Sequence, residues 1–564
     1  VTPESFAAAL GDPAVPGGVI DFASSLADDE RSAFPQRAID AIDELGLARS
    51  YVPLEDGGDL GDVLAPMRMI RAIAGRDLTA AVAHGKTFLG SVSTWVAGDE
   101  AVRRRVADTV LAGQPVSWGL TERGRGSDLG ATATTARFGP RGIVLDGEKW
   151  PINNATRGRA MTVLARVDER SGPRAHTLLY VDKAQLPANR FAPLPKVATH
   201  GIRGADISGL GFEAAPVSTD AVIGAPGEGL EIVLKSLQLT RPLCTALSLG
   251  AADLGLRVVG GFVLERRMFG RDLATLPAAR AALVAAASDA LSAEAVAIVG
   301  ARHVHHRIDE MALVSSLVKF FVPDTVDLLL RDLSQLLGAR SQLTELAPGN
   351  VFQKVLRDHR IVAIFDGNSV VNLGVIVGEF PSMLREGEAA DARARAALGT
   401  SATLTEPVPI DFGSLRLFSR RGSALLRALP ELLDAAAARI PDPDFGRDCA
   451  ALLREFTQTM AEVRTFKRAP FPPPEHYLAA ERVATLFAAA SVLTLTENGG
   501  GFGPDALTAR LVIARLAQRL GLSDPGDALV AEGFEAVAER LGAGGDASVF
   551  DAARSEAPAF EAAT

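Results

Sequence analysis

The sequence predicts an α+β protein, mostly α, ordered as a helical unit, a β domain, a helical bundle and one further helical unit. Three observations carry this. Apolar residues recur at helical spacing up to about residue 113, the period turns to alternation from 114 to about 224, and long helical periodicity returns from 227. A charged, Ala-rich and then Pro-punctuated stretch, residues 386–412 (EGEAADARARAALGTSATLTEPVPIDF), then reads as a linker before the last helical region. The units drawn are 1–113, 114–225 and 226–385, the linker 386–412, and 413–564.

The elements follow in order. Ala38, Ile39, Ile42 and Leu45, then Met67, Ile70, Ile73 and Ala74, mark helices on either side of a turn cluster at 51–61 (YVPLEDGGDLG). Residues 144–145, 161–167 and 176–181 are β-rich runs bounded by Gly- and Asp-containing turns. Helical spacing then runs through 230–249, 258–262, 279–298 and 311–337, the pattern of a buried bundle. Beyond the linker, 414–438, 449–464, 476–494 and 506–520 are helical, separated by Pro- and Gly-rich breaks.

The totals bound the function. A 564-residue chain has ample length for a core, and 48 % hydrophobic with 22 % charged residues is ordinary globular composition. A net charge of −10 and a pI near 5.5 argue against a nucleic-acid surface. Two distant cysteines, Cys244 and Cys449, imply neither a disulfide framework nor a Cys-based zinc site, and point to a reducing interior. The N-terminal residues lack the pattern of a signal peptide, and the most apolar run, 483–495, is too short to span a bilayer. The expectation is a cytoplasmic protein. The histidines of 302–307 (RHVHHR) read as a polar helix-connecting segment rather than a metal site. Residues 510–520 (RLVIARLAQRL) carry Arg510, Arg515 and Arg519 around an apolar face that suits anionic lipid, though a packed surface helix is favoured.

The stretch with most chemistry is 118–130, WGLTERGRGSDLG. Its glycines allow backbone to approach a ligand, and Thr121 and Ser127 supply hydroxyl donors. The glycine spacing is not G-x-G-x-x-G, and the residues after it alternate like a strand, which excludes a Rossmann loop. These residues alone leave open a plain polar turn between strands.

Residues 121–128 resemble the T-E-P-G-A-G-S-D flavin signature of the acyl-CoA dehydrogenase family, with Arg123 in place of Pro. Five further stretches resemble that family in the same order. Residues 145–155 (LDGEKWPINNA) are similar to L-x-G-x-K-x-W-I-T-N-G, with Pro151 replacing Trp and Asn153 replacing Thr. Thr240-Arg241-Pro242 matches T-R-P, residues 265–270 (ERRMFG) resemble E-R-x-x-F-G, and 335–339 (QLLGA) resemble Q-x-x-G-G. Residues 364–368 (IFDGN) resemble Y-E-G-T, with Asp366 where the family has its catalytic Glu; by itself an Asp before Gly reads as a turn residue.

The resemblance implies a fold of helical domain, β domain and helical bundle, extended by a C-terminal helical domain like that of very-long-chain acyl-CoA dehydrogenases. It implies FAD as cofactor, no metal, and contacts from Trp118, Leu120, Thr121, Gly126, Ser127, Ile152, Asn153, Arg266, Phe269, Gln335, Gly338, Ala339 and Asn368. Asp366 and Arg241 become the catalytic pair, and Ser127, Thr240, Arg241 and Gly367 substrate contacts. The implied reaction is α,β-dehydrogenation of a saturated acyl-CoA or acyl carrier protein thioester, with an electron-transfer flavoprotein as acceptor and a homodimer sharing its flavin sites. An oxygen-using flavoenzyme stays open because Pro151 replaces a shielding Trp. A non-catalytic flavin-binding or scaffold protein is the third reading. Residues 276–277, Leu-Pro where the family usually has His-Gln, remove one cofactor contact.

Overall fold

The computed structural model of the chain describes residues 1–167, 170–385, 392–401, 403–404, 406–499 and 505–542. The first unit is six helices: α1 (Pro3–Leu10), α2 (Phe22–Glu30), α3 (Gln36–Glu44), α4 (Leu64–Ala74), α5 (Leu78–Ala97) and α6 (Glu100–Leu111). Helix α1 precedes the first helix predicted from periodicity. Its start is set by a capping box, Thr2 accepting from the Ser5 N–H while Ser5 accepts from the Thr2 N–H.

Eight strands follow: β1 (Val116–Gly119), β2 (Thr135–Gly139), β3 (Gly142–Asn153), β4 (Ala160–Val167), β5 (His176–Asp182), β6 (Phe191–Leu194), β7 (Ile207–Val217) and β8 (Val222–Ile223). They form one sheet in the order β6-β7-β3-β2-β4-β5-β8, with β1 pairing parallel to β4. A separate core of Leu145, Ile152, Met161, Val163, Leu179 and Leu210 lies under it.

Helix α5 bridges the helices and the sheet. Its sequence is rich in small residues, and a side chain on Gly90 would place Cβ 2.1 Å from the Val116 carbonyl oxygen. With hydrogen there instead, α5 lies directly on β1, and the Thr162 hydroxyl donates to the Gly90 carbonyl at 2.6 Å. Further along, the Asn154 amide donates to the Ala83 carbonyl at 2.7 Å.

The bundle is built from α7 (Gly229–Glu265), α8 (Pro277–His306), α9 (Met311–Leu337), α10 (Gly349–His359) and α11 (Ser369–Met383), with a short hairpin of β9 (Arg267–Met268) and β10 (Arg271–Asp272) after α7. The stretches read as 230–249 and 258–262 are one helix. Then come α12 (Ala392–Gly399), α13 (Ala424–Arg427), α14 (Leu429–Arg439), α15 (Pro443–Thr465), α16 (Pro474–Asn498), α17 (Ala506–Arg519) and α18 (Asp527–Gly542). Helices α7, α8 and α16 reach the length and mean hydropathy of membrane spans, but 72 %, 89 % and 83 % of their apolar windows are buried inside the protein. Their apolarity serves the bundle core.

Two expectations change, and a third, the packing of the 510–520 helix, holds. Part of the linker, residues 392–399, is helix α12, packed on α16 with Leu398 buried; residues 386–391, 402 and 405 lie outside the described residues. The 302–307 segment is no polar connector, since α8 runs to His306. Arg302 and His303 are buried, Arg302 donating to Asp62 at 3.1 Å and His303 Nδ1 lying 2.8 Å from the Val299 carbonyl. Burial lowers His303 and His305 to about 4, so both are neutral at pH 7. The arginines of α17 face protein rather than lipid: Arg510 pairs with Asp442 and Glu532, and Arg515 and Arg519 converge on Asp289 of α8. Helix α17 is thereby tied to the bundle.

Asp289 is buried and takes two hydrogen bonds from Arg515, at 3.1 and 2.7 Å. Asp289→Ala leaves two guanidinium groups without their carboxylate, at a cost of roughly 3–5 kcal/mol. The expected outcome is a lower melting temperature and faster limited proteolysis within residues 506–542. Unchanged cleavage there would show that α17 is held by apolar packing alone.

Candidate functional site

Strand β1 ends at Gly119, and residues 120–134 then loop out and return to β2. The loop is held by one buried ion pair. Glu122 meets Lys149 of β3 at 2.8 Å and accepts further hydrogen bonds from Ala133 N–H, Thr134 N–H and the Thr134 hydroxyl. Burial pushes the Glu122 carboxyl up, but Lys149 and these donors outweigh it and bring it down to about 2. Burial lowers Lys149 to about 8 against the pull of Glu122.

Beside this anchor the loop lies along β3. The Thr121 carbonyl accepts from Trp150 N–H at 3.0 Å, and its hydroxyl donates to the Pro151 carbonyl at 3.1 Å. Trp118, Leu120, Thr121, Ile152 and Asn153 thus share one edge. Arg123, the departure from the signature, lies over the Trp150 ring at 4.1 Å and donates to Glu148 at 2.6 Å. Gly126, Ser127 and Asp128 form the exposed arc of the loop, and space beside Gly126 is open. Trp118 Nε1 and both polar atoms of the Asn153 amide are buried without a protein partner among the described residues. Orphaned donors and acceptors on one edge are what a cofactor rich in ring nitrogens and carbonyls would satisfy, so the residues fit a flavin there.

The second half is the loop before α11. Asp366 (φ +57°) and Gly367 (φ +93°) are both left-handed, and a Cβ on Gly367 would lie 3.2 Å from the Arg241 guanidinium. A left-handed aspartate is a strained placement, held by its surroundings. Arg241 Nε donates to the Asp366 carbonyl at 3.4 Å and its Nη1 to Ser316 at 2.8 Å. Lys319 Nζ donates to the Val362 and Gly367 carbonyls at 2.7 and 3.4 Å. Arg241 therefore clasps the backbone of the loop. The Asp366 carboxylate is met by the Cys244 thiol, donating at 3.1 Å, and by Lys86 Nζ at 3.9 Å. Burial lowers Arg241 to about 10 and Lys319 to about 8, with the Asp366 charge opposing both, and burial with that charge pushes the Cys244 thiol up. Cys244 is thus a neutral donor.

Between α5 and α7 lies a small apolar pocket of about 20 Å³, lined by Ile70, Ala81, Val82, Gly85, Lys86, Leu89, Leu243, Cys244 and Leu247. Its two polar wall residues are the two that touch the Asp366 carboxylate. The Asp366 N–H meets no acceptor among the described residues. Helix α5 joins the halves: Ala83 contacts Asn154, Lys86 contacts Asp366 and Gly90 contacts β1, all within about 12 Å of helix axis.

The remaining expected contacts lie elsewhere. Thr240 is buried and its hydroxyl returns to the Leu237 carbonyl. Asn368 caps α11, its side chain accepting from Val371 N–H at 2.9 Å. Arg266 ends α7 with Nε buried and without a hydrogen-bond partner among the described residues, and Phe269 at the hairpin tip is 88 % exposed. Gln335, Gly338 and Ala339 are exposed at the end of α9, close to that hairpin because Arg340 lies over Phe262 at 5.7 Å. This second patch is about 37 Å along α7 from Arg241. Lys86, Cys244, Ser316 and Lys319 were not anticipated. The available signal was that Lys86 and Lys319 are single cations in otherwise apolar helical runs.

Known proteins resemble the chain over the β domain and the bundle. The acyl-CoA dehydrogenase middle domain matches residues 117–215, and the acyl-CoA dehydrogenase C-terminal domain matches 227–379. The Mycobacterium tuberculosis protein named "Probable acyl-CoA dehydrogenase FadE25" is 27 % identical over 344 residues, 61 % of this chain and 87 % of its own. Human mitochondrial short-chain specific acyl-CoA dehydrogenase is 26 % identical over 357 residues, 62 % of this chain and 84 % of its own. The crystal structure of a Bacillus anthracis acyl-CoA dehydrogenase complexed with FAD superposes with a TM-score of 0.67 at 20 % identity, over 96 % of this chain and 94 % of that one. Residues 117–215 and 227–379 are acyl-CoA dehydrogenase middle and C-terminal domains, and the chain has the acyl-CoA dehydrogenase fold with additional C-terminal helices beyond the common core.

Glu122→Gln keeps the shape of the anchor but leaves Lys149 buried beside a neutral amide. It should cost roughly 3–5 kcal/mol and release the 120–134 loop. The pair's contribution in the wild type is complete above about pH 4.5 and is lost as pH falls through about 2. The variant should lack that acid limb in a melting-temperature profile. An unchanged profile would remove Glu122 as the anchor.

Proposed function

We propose that the chain is a FAD-dependent oxidoreductase that converts a saturated acyl thioester, carried by coenzyme A or an acyl carrier protein, to the trans-2-enoyl thioester. The observation that carries this reading is the Asp366 carboxylate, on a strained loop clasped by Arg241, in contact with Cys244 and Lys86 of an apolar pocket wall. The Trp118–Asn153 edge would hold FAD, which would supply the acceptor for the β-hydride.

The protein's own groups do the rest. Asp366 takes the α-proton, and its short side chain requires the acyl group to sit close against the loop. The free Asp366 N–H is placed to donate to a thioester oxygen as charge develops there. Arg241 and Lys319, bonded to the carbonyls of residues 366, 362 and 367, fix the loop so that the carboxylate cannot swing away. The apolar walls of α5 and α7 exclude water.

Arg266, Phe269, Gln335, Gly338 and Ala339 are too far from Asp366 for one dinucleotide to touch both within a chain. A homodimer in which this patch completes the partner's flavin site reconciles the two, and the exposed Met268, Phe269 and Leu346 give it an apolar surface to cover. The electron acceptor is an electron-transfer flavoprotein in this reading. Exposed Pro151, where the signature has Trp, favours keeping oxygen as the second reading, and air reoxidation of the reduced protein separates the two.

The test is anaerobic mixing of the FAD-loaded protein with saturated acyl-CoAs. Wild type should lose its flavin absorbance with one class of acyl chain. Asp366→Asn should keep its flavin and lose about 10²–10⁴-fold in the rate of reduction. Near-normal reduction in the variant would overturn the assignment of the base.

A further inference from the structure

The clasps on the Asp366 loop all act on its backbone. Arg241 and Lys319 hold the carbonyls of residues 366, 362 and 367, and the Asn372 amide donates to the Gly367 and Asn368 carbonyls at 2.8 and 3.0 Å. None of these bonds fixes how the Asp366 carboxylate is turned. Rotation about the last bond of an aspartate is soft, yet a base must present one oxygen in line with the hydrogen it takes.

The carboxylate receives one hydrogen bond among the described residues, and it comes from Cys244. Sγ lies 3.1 Å from Oδ2, while Lys86 Nζ lies 3.9 Å from Oδ1. Because an ionised carboxylate only accepts, the thiol is the donor. Cys244 is buried and lines the apolar pocket between α5 and α7. It stands three residues along α7 from Arg241, so one face of that helix holds both the backbone and the carboxylate of residue 366.

Resting on the dehydrogenase reading above, we propose that Cys244 is a positioning residue for the base: its thiol occupies Oδ2, so that Oδ1 is turned to the acyl group and takes the α-proton. In that step the bond between the α-carbon and its hydrogen breaks, and an O–H bond forms at Oδ1. The electron pair left behind becomes the new carbon–carbon double bond as hydride leaves the β-carbon. The thiol keeps its own proton throughout.

A thiol suits this task because it is a weak donor. A hydrogen bond given to a carboxylate favours its charged form and makes it a poorer base. A hydroxyl would hold Oδ2 harder and weaken the base more, whereas an apolar side chain would leave the carboxylate free to turn. Burial and the Asp366 charge push the Cys244 thiol up, so it stays protonated and is not a nucleophile.

Two measurements on the FAD-loaded protein test this. The first is the infrared S–H stretch of Cys244, with Cys449→Ala removing the signal of the other thiol. Asp366→Asn should move that band to higher frequency, as the bond to a full negative charge is lost. An unmoved band would overturn the contact. The second is anaerobic flavin reduction by butanoyl-CoA, octanoyl-CoA and hexadecanoyl-CoA, using the chain that reduces wild type fastest. Cys244→Val, which fills the space without a donor, should lower kcat roughly ten- to a hundredfold with KM changed less than about twofold. Cys244→Ser should recover most of that loss. A Cys244→Val rate equal to wild type, or a Cys244→Ser rate no better than Cys244→Val, would overturn the inference and leave the dehydrogenase reading standing. If Cys244→Val does not retain flavin, Cys244→Ala is judged by the same criterion. Reduction of wild type by no acyl thioester would overturn the dehydrogenase reading and this role with it, while the infrared band would still decide whether the thiol meets Asp366.

Discussion

Helix α5 can lie on the sheet only because residue 90 has no side chain: a Cβ there would sit 2.1 Å from the Val116 carbonyl oxygen. From that close approach the rest of the site follows. With the helix axis fixed against β1, Ala83 meets Asn154 at the end of β3, and Lys86 is carried to the loop that holds Asp366. One short stretch of helix therefore sets the separation between the edge suited to a flavin and the carboxylate suited to a base. Neither half touches the other through its own side chains in the contacts described, so their relation is a property of α5 packing.

Each half is in turn fixed by charge placed where water is scarce. Glu122 and Lys149 hold the 120–134 loop to β3, while Arg241 and Lys319 hold the 361–367 turn by its carbonyls. The difference between the two is instructive. The Glu122–Lys149 pair satisfies itself and leaves nothing for a ligand, as a structural ion pair should. Around Asp366 the positive charge exceeds the negative: Lys86 pairs with its carboxylate while Arg241 and Lys319 bond the carbonyls of its loop.

Much of this was readable from local sequence. The loop at 118–130, the strand at 145–153 and the Arg241-Pro242 and Asp366-Gly367 pairs are short stretches marked by their resemblance to family motifs in order, and their backbone forms agree with the strands and turns expected. What could not be read was assembly. Lys86, Cys244, Ser316 and Lys319 lie on three helices far apart in sequence, and only packing brings them to Asp366. Polar letters misled in the same way. The Arg302–His306 segment looks like a connector, yet Arg302 and His303 are buried because Asp62 and the Val299 carbonyl satisfy them. The Ala-rich residues 392–399 look like linker because their helix depends on α16, which supplies the apolar face they pack on.

The central claim is that a carboxylate on this chain removes the α-proton as hydride leaves the β-carbon. It is tested most directly by the rate of anaerobic flavin reduction with a reactive acyl-CoA deuterated at the α-carbon, at the β-carbon, or at both. The account predicts a primary isotope effect at each position in the wild type. A rate indifferent to deuterium at the α-carbon would contradict it, because no base would then be taking that proton in the step that reduces the flavin.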